Sequence, residues 1–259
     1  AREAAPNNAL NGSKQSDTIT LIEGTGFRAK FDLADGSLYG LEYGGQTIIE
    51  DGNGPTLNAY RAFVNNDTWG YQSWFQKGLH NLQHRTTESK LRRNDDGTLS
   101  LAFTVVSQAP NAARQHGGTS DGVIQIEELR QTPFDEDDFH FVTHQIWTVY
   151  PDGSIELQAS ITSNQPRFKL PRIGYSMTLP KSFHQFDYYG RGPINNYNDR
   201  KTSQFIQHYT SAVADMFVNF PKPQDMANRE EVRWCALSDG ESGALFIATG
   251  ELAVSALPY

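Results

Sequence analysis

The sequence has 259 residues, a formal net charge of -8 and 12% aromatic residues. At this length a single β-rich domain buries a sizeable core without staples, and its acidity repels phosphate backbones, so nucleic acid is not an expected partner. The single cysteine, Cys235, excludes an internal disulfide and a cysteine-cluster zinc site. No apolar run approaches the roughly 20 residues that span a bilayer, so no membrane partner is expected.

Residues 1–23 begin AREAAPNNALNGSKQ, without an initiator Met or a signal-peptide pattern. They read as a linker or N-terminal arm, polar and disordered, on a chain expected to belong to something longer. From residue 24 the dominant period is two. In FRAKFDLADG, Phe27, Ala29, Phe31 and Leu33 share one face, and Asp35-Gly36 make a turn. Further strands are predicted over Thr98–Val106, Gly122–Leu129, Phe139–Tyr150, Arg172–Leu179 and Phe183–Tyr189. TVYPDGSIELQASIT reads as a hairpin turning at Pro151-Asp152-Gly153. VRWCALSDGESGALFIATG repeats that plan, with Val232, Trp234 and Ala236 on one face and Cys235 on the other. No amphipathic helix longer than about three turns and no strand–helix alternation is found. The pattern predicts an all-β protein, a large antiparallel β-sandwich over 24–259.

Several stretches carry candidate chemistry. The GRG of Gly190-Arg191-Gly192 lacks the third Gly and the following helix of a dinucleotide fingerprint, and Pro193 follows it directly. His80 and His84 have the i, i+4 spacing of a helical metal pair, but without a catalytic Glu between them. His140 and His144 lie on a predicted strand, about 13 Å apart, too far to share an ion. Surface or loop histidines are the plainer reading. The carboxylates of FDEDDF (134–139) fit a solvated acidic loop better than a calcium loop, which spaces its ligands and includes Gly. Cys235 reads as a small strand residue rather than a nucleophile.

GPTLNAYRAFVNNDTWGYQSW (54–74) sets Trp69, Tyr71 and Trp74 among Asn58, Arg61, Asn65, Asn66 and Asp67. Aromatic faces beside amides and carboxylates suit sugars, whose C–H faces stack and whose hydroxyls need directional partners. A long loop pinned to the sandwich fits the same composition, and the sequence leaves both open. DYYGRGPINNYNDRKTSQF (187–205) gathers turn formers around Asp199, Arg200 and Lys201. Gly190, Gly192 and Pro193 are suited to a tight irregular turn, and Asn196, Asp199 and Arg200 to its hydrogen bonds.

Three stretches, in order, resemble one family. GPTLNAYRAFVNND resembles a Gly-Pro…Asn…Arg-Ala-Pro…Asp-Asn-Asp signature, with Phe63 at a usual Pro. YYGRGPINNYNDRK resembles Gly-x-Gly-Pro-x-Glu-Asn-Tyr-x-Asp-Arg, matched by Gly190, Gly192, Pro193, Asn196, Tyr197, Asp199 and Arg200, with Asn195 at the usual Glu. FPKPQDMANREEVRW resembles Pro-Gln-Glu-x-Gly-x-Arg followed by Arg-Trp, with Asp225 and Ala227 at the usual Glu and Gly. Together they resemble the C-terminal small-chain domain of the large bacterial β-galactosidases of glycoside hydrolase family two, from about Gly24 onward.

The resemblance implies a supersandwich of the galactose-mutarotase-like kind. It implies a retaining β-galactosidase acting on lactose-like β-D-galactosides, with both catalytic glutamates in a separate (β/α)₈ barrel. No catalytic residue and no cofactor is then expected in this chain, while Mg²⁺ or Na⁺ in the parent is compatible with the resemblance. The expected partners are the barrel and other domains, the galactoside, and further copies in a homo-oligomeric parent. A sugar-facing Trp of the family comes from a later segment, so the domain is expected to be truncated at its C-terminal end. Arg61, Asn66, Asp67, Gly192, Asn195, Asn196, Tyr197, Asp199 and Arg200 are the candidates for a substrate-proximal or domain-interface loop, and Trp69 and Trp74 for sugar stacking. The rivals are a stand-alone carbohydrate-binding module and an aldose mutarotase-like protein. One cysteine fits a bacterial cytoplasm and does not exclude a periplasm.

Overall fold

A computed structural model describes residues 9–109 and 135–258. The chain divides into two compact units, one of Ala1–Arg61 with Asp67–Thr178 and one of Ala62–Asn66 with Leu179–Tyr259. All pairings between named strands are antiparallel. The protein is all-β, with a β-sandwich in the first unit.

In the first unit, β1 (Asn11–Lys14), β2 (Ile19–Gly24), β3 (Phe27–Asp32), β4 (Leu38–Tyr43) and β5 (Gln46–Ile49) form one sheet in sequence order. A two-stranded piece pairs β6 (Thr56–Asn58) with β11 (Gly174–Ser176). The second large sheet has the order β10-β9-β8-β7, from β7 (Gln83–Arg93), β8 (Leu99–Gln108), β9 (His140–Val149) and β10 (Ile155–Ser163). The period-two reading is realised in β3, where Phe27, Ala29 and Phe31 are buried and the residues between them are not. Leu99, Leu101, Phe103 and Val105 of β8 and Trp147 and Val149 of β9 bury in the same way. Each large apolar side chain so buried stabilises the fold by about 1.5–3 kcal/mol.

Contacts between the two large sheets are specific. The Phe31 and Trp147 rings lie 5.9 Å apart. The Gly36 carbonyl accepts hydrogen bonds from Trp147 Nε1 at 3.0 Å and Gln145 Nε2 at 2.6 Å. Gly36 has φ +76°, and a Cβ there would lie 2.7 Å from Val105 and 2.9 Å from Gln145. Only glycine fits this turn without strain.

Part of the expected 1–23 arm is strand. β1 and most of β2 fall inside it, because Thr20, Leu21 and Ile22 bury against the sandwich core. The predicted Arg172–Leu179 strand contracts to β11. The predicted strand Gly122–Leu129 lies outside the described residues, as does Phe134. Asp135–Asp138 form a turn in which Asp135 Oδ1 accepts the Asp137 N–H at 2.9 Å.

The second unit holds one sheet, β13-β12-β14-β15, from β12 (Gln185–Gly192), β13 (Phe205–Ala212), β14 (Arg229–Ser238) and β15 (Gly243–Val254). Its core gathers Phe186, Tyr188, Val213, Met216, Ala227, Val232, Cys235 and Ala256. The strict alternation expected for β14 fails. Its pairing with β15 is irregular around Val232, and Glu231 has φ 55°. This bulge puts Val232 and Cys235 on the same, buried side. Burial pushes the Cys235 thiol up to about 11, which suits an inert core residue rather than a nucleophile. β12 runs on to Gly192, so Gly190 and Gly192 sit in a strand and not in the turn expected of them. Gly190 passes close to β14, where a Cβ would lie 2.7 Å from Val232 Cγ2 and 3.0 Å from Val232 Cα.

Candidate functional site

In the first unit Arg61 and Asp67 form a two-pronged ion pair, Nη1 to Oδ2 at 2.7 Å and Nη2 to Oδ1 at 3.1 Å. Asp67 is 5% exposed, so this is a buried structural clasp. The Arg61 guanidinium lies 5.8 Å from the centre of the Trp74 ring. Trp74 is 1% exposed and donates Nε1–H to the Lys169 carbonyl at 3.0 Å. It therefore offers no face to a sugar, which corrects its assignment as a stacking residue. It belongs to the short helix α1 (Tyr71–Gln76), whose inward side it shares with Phe75.

Trp69 is different. It is 61% exposed, stands edge-on to Trp74 at 5.7 Å between centroids, and has the Lys169 ammonium 5.5 Å from its ring centre. Its rigid aromatic face beside a cation is the arrangement in this stretch suited to a ligand. Asn66, in the 3-10 turn Asn65–Trp69, is exposed.

In the second unit the loop after Gly192 is built around Asn196, which is 0% exposed. Its Nδ2 donates to the carbonyls of Arg191 and Ile194, each at 3.0 Å, and its Oδ1 accepts the Glu230 N–H at 2.9 Å. Its main chain exchanges hydrogen bonds with Asn228, through Asn196 N–H to Asn228 O at 2.9 Å and Asn228 Nδ2 to Asn196 O at 2.7 Å. The hydrogen-bonding groups of Asn196 are thus committed to closing this loop on the end of β12 and tying it to Asn228 and to Glu230 of β14. Tyr197 donates its hydroxyl to Asp225 Oδ2 at 3.0 Å, and Arg200 stacks on the Tyr197 ring at 5.1 Å. The Arg200 N–H closes the turn onto Tyr197 O at 2.9 Å, leaving Asp199 and Arg200 exposed at its tip. The Asn195 amide nitrogen is buried and finds no hydrogen-bond partner among the described residues. Gly192 is buried at the end of β12, with the Tyr209 hydroxyl 3.0 Å from its carbonyl.

One residue of this region carries no motif signal. Glu231, 15% exposed at its side chain, sits between Arg191 Nε at 2.8 Å and Lys201 Nζ at 3.1 Å. The Arg191 guanidinium beside it, helped by Lys201, holds its carboxyl below the usual range. Its ion pairs join β14 to β12 and to the loop after it. Nothing in the local sequence distinguishes it from the adjacent Glu230. Beside it, Arg229 is 5% exposed and donates Nε–H to Tyr188 Oη at 2.9 Å and Nη1–H to the carbonyls of Ala227 and Asn228. Ala227, at the position of the motif glycine, has φ 67°, a backbone setting that favours glycine.

The histidines do not cooperate. His80 lies in a 3-10 turn against the Phe75 ring at 4.9 Å, while His84 lies on β7 with Nδ1 2.8 Å from Ser107 Oγ. Burial lowers the pKa of both; His80 sits in a turn, as the loop reading has it, while His84 is on a strand. Among the described residues, no group of three or more His, Cys, Asp or Glu could hold a metal ion.

Comparison with known proteins agrees with the order of the motifs. The family described as beta galactosidase small chain matches residues 23–259. A beta-galactosidase of Priestia megaterium is 26% identical over 252 residues, which is 97% of this chain and 21% of that protein. One from Halalkalibacterium halodurans is 25% identical over 89% of this chain and 20% of its own length. One from Lactobacillus delbrueckii subsp. bulgaricus is 37% identical over 108 residues, 41% of this chain and 11% of its own length. The chain thus spans about a fifth of the longest-matched of these relatives, 21% of the Priestia protein. With its motifs in order and residues 23–259 matched, the chain belongs to the beta-galactosidase small-chain family.

Proposed function

We propose that this chain acts as a non-catalytic domain of a larger retaining β-galactosidase that hydrolyses lactose-like β-D-galactosides. The observation that carries the reading is the family match over 23–259, on a chain spanning 21% of a relative named beta-galactosidase. Retaining hydrolysis needs a nucleophilic carboxylate and a carboxylic acid about 5–5.5 Å apart. Among the described residues, four of the more enclosed carboxylates are engaged otherwise. Glu231 is held by Arg191 and Lys201, Asp67 by Arg61, and Asp187 by Thr210, Gln185 and His208. Asp32 is pushed up by burial, but it accepts the Ala34 N–H in a turn. In this reading the acid and the nucleophile come from another domain. This one contributes exposed side chains, Trp69 and the tip at Asp199 and Arg200, to the wall of the substrate site or to a contact with another domain.

The test uses the longer polypeptide. Deleting the segment 23–259 should abolish turnover of an aryl β-galactoside, and the intact enzyme should release galactose with retained anomeric configuration. Full kcat/KM after the deletion overturns the reading. Exposed Trp69 supports a second reading, a sugar-binding module. Calorimetric binding of lactose by this chain, tighter than millimolar and lost in Trp69→Ala, would favour it.

A further inference from the structure

The outward face of the β10-β9-β8-β7 sheet carries a row of side chains that the galactosidase reading does not use. Strand register aligns Glu88 with Thr104, Thr104 with His144, and His144 with Ser160. The next row aligns Lys90, Ala102, Ile146 and Gln158. Adjacent strands lie about 4.8 Å apart, so each row is about 14 Å long. Residues two apart on a strand share a face, so the rows lie side by side. They line a shallow cleft, largely open to solvent, with a volume of about 730 Å³.

The chemistry of the cleft is ordered. Ala102 and Ile146 make an apolar floor, and Ile146 is 43% exposed. Around that floor stand a carboxylate, an ammonium, an amide, two hydroxyls and an imidazole. The first row is also linked internally. Thr104 Oγ1 lies 3.2 Å from His144 Nδ1 and donates to Glu88 Oε2 at 3.5 Å. The Thr104 hydroxyl has one hydrogen. With that hydrogen directed at Glu88, the oxygen is left to accept Nδ1–H of His144.

We propose that this sheet face is a saccharide-binding cleft, in which a pyranose ring lies on Ala102 and Ile146 while its hydroxyls meet His144, Glu88, Lys90 and Gln158. A sugar ring has a C–H face and a rim of groups that each donate and accept, and the cleft offers an apolar floor with mixed donors and acceptors at its rim. One Lys is balanced by one Glu, so the site has no net charge with which to select phosphate. The proposal stands apart from the galactosidase reading. It needs only this chain, and its failure leaves that reading intact.

The experiment is a titration of the 259-residue chain with lactose and, separately, cellobiose, followed through the His144 ring signals by NMR. A saturable shift is expected with at least one disaccharide. It should persist in Trp69→Ala and weaken about tenfold in Gln158→Ala and in Thr104→Val, the loss of about one hydrogen bond. Thr104→Ser should restore it. His144 signals silent to both sugars, shifts confined to Trp69, or a response to inorganic phosphate alone would each overturn the proposal. Because Thr104 and Gln158 are on the outward face of the sheet and Trp69 is exposed, wild-type-like spectra will confirm that each variant is folded.

Discussion

The two stretches richest in polar and aromatic residues look alike in composition and behave oppositely in the fold. In the loop after Gly192, Asn196 is fully buried and binds Arg191, Ile194, Glu230 and Asn228. In the stretch around Asp67, the Arg61–Asp67 clasp and buried Trp74 form a base from which Trp69 projects, 61% exposed. The first region ties strands together, and the second presents a surface. Residue density does not separate a site from a scaffold. The use made of each polar atom does.

Replacing each tryptophan by alanine separates the buried base from the exposed face. Trp74→Ala should cost about 3–5 kcal/mol in urea unfolding, as expected for a buried aromatic. Asn196→Ala should cost about 3 kcal/mol, because two carbonyls and one N–H lose partners inside the protein. A loss under about 0.5 kcal/mol would make the loop an ornament of the fold rather than its tie.

A pH measurement separates Glu231 from the adjacent Glu230. Its carboxyl is held below its ordinary 4.5 by Arg191 and Lys201. A depressed carboxyl contributes stability that is present above the unfolded value and lost as pH falls through the folded one. The stability difference between the wild type and Glu231→Gln should therefore be largest near neutrality and shrink below pH 4.5. A difference independent of pH would remove the ion pairs from the account. The smallest effect belongs to Trp69→Ala, which should change unfolding by less than about 0.5 kcal/mol. In the longer polypeptide the same change should raise KM for an aryl galactoside if Trp69 faces the substrate.

Much of this was legible in the sequence, for physical reasons. Period-two burial marks β3, β8 and β9 because one face of each strand packs on the sandwich core. Pro151-Asp152-Gly153 marks its hairpin because the turn needs those backbone angles, and Gly153 has φ 86°. What stayed hidden depends on register and bulges. Irregular pairing around Val232, with Glu231 at φ 55°, put Cys235 on the side opposite to the one simple alternation assigns. Strand pairing also brought Glu88, Thr104, His144 and Ser160 into one row from four separate segments. For Trp69 and Trp74, five residues apart, composition suggested one shared role, and only packing divides them.

The proposed function makes this chain a non-catalytic domain of a larger β-galactosidase. The direct measurement is turnover of an aryl β-galactoside by the purified 259-residue chain. No release above the buffer rate is predicted. Release that rises in proportion to chain concentration, and is abolished by a single Asp or Glu substitution within the chain, would place the catalytic carboxylates in this chain instead.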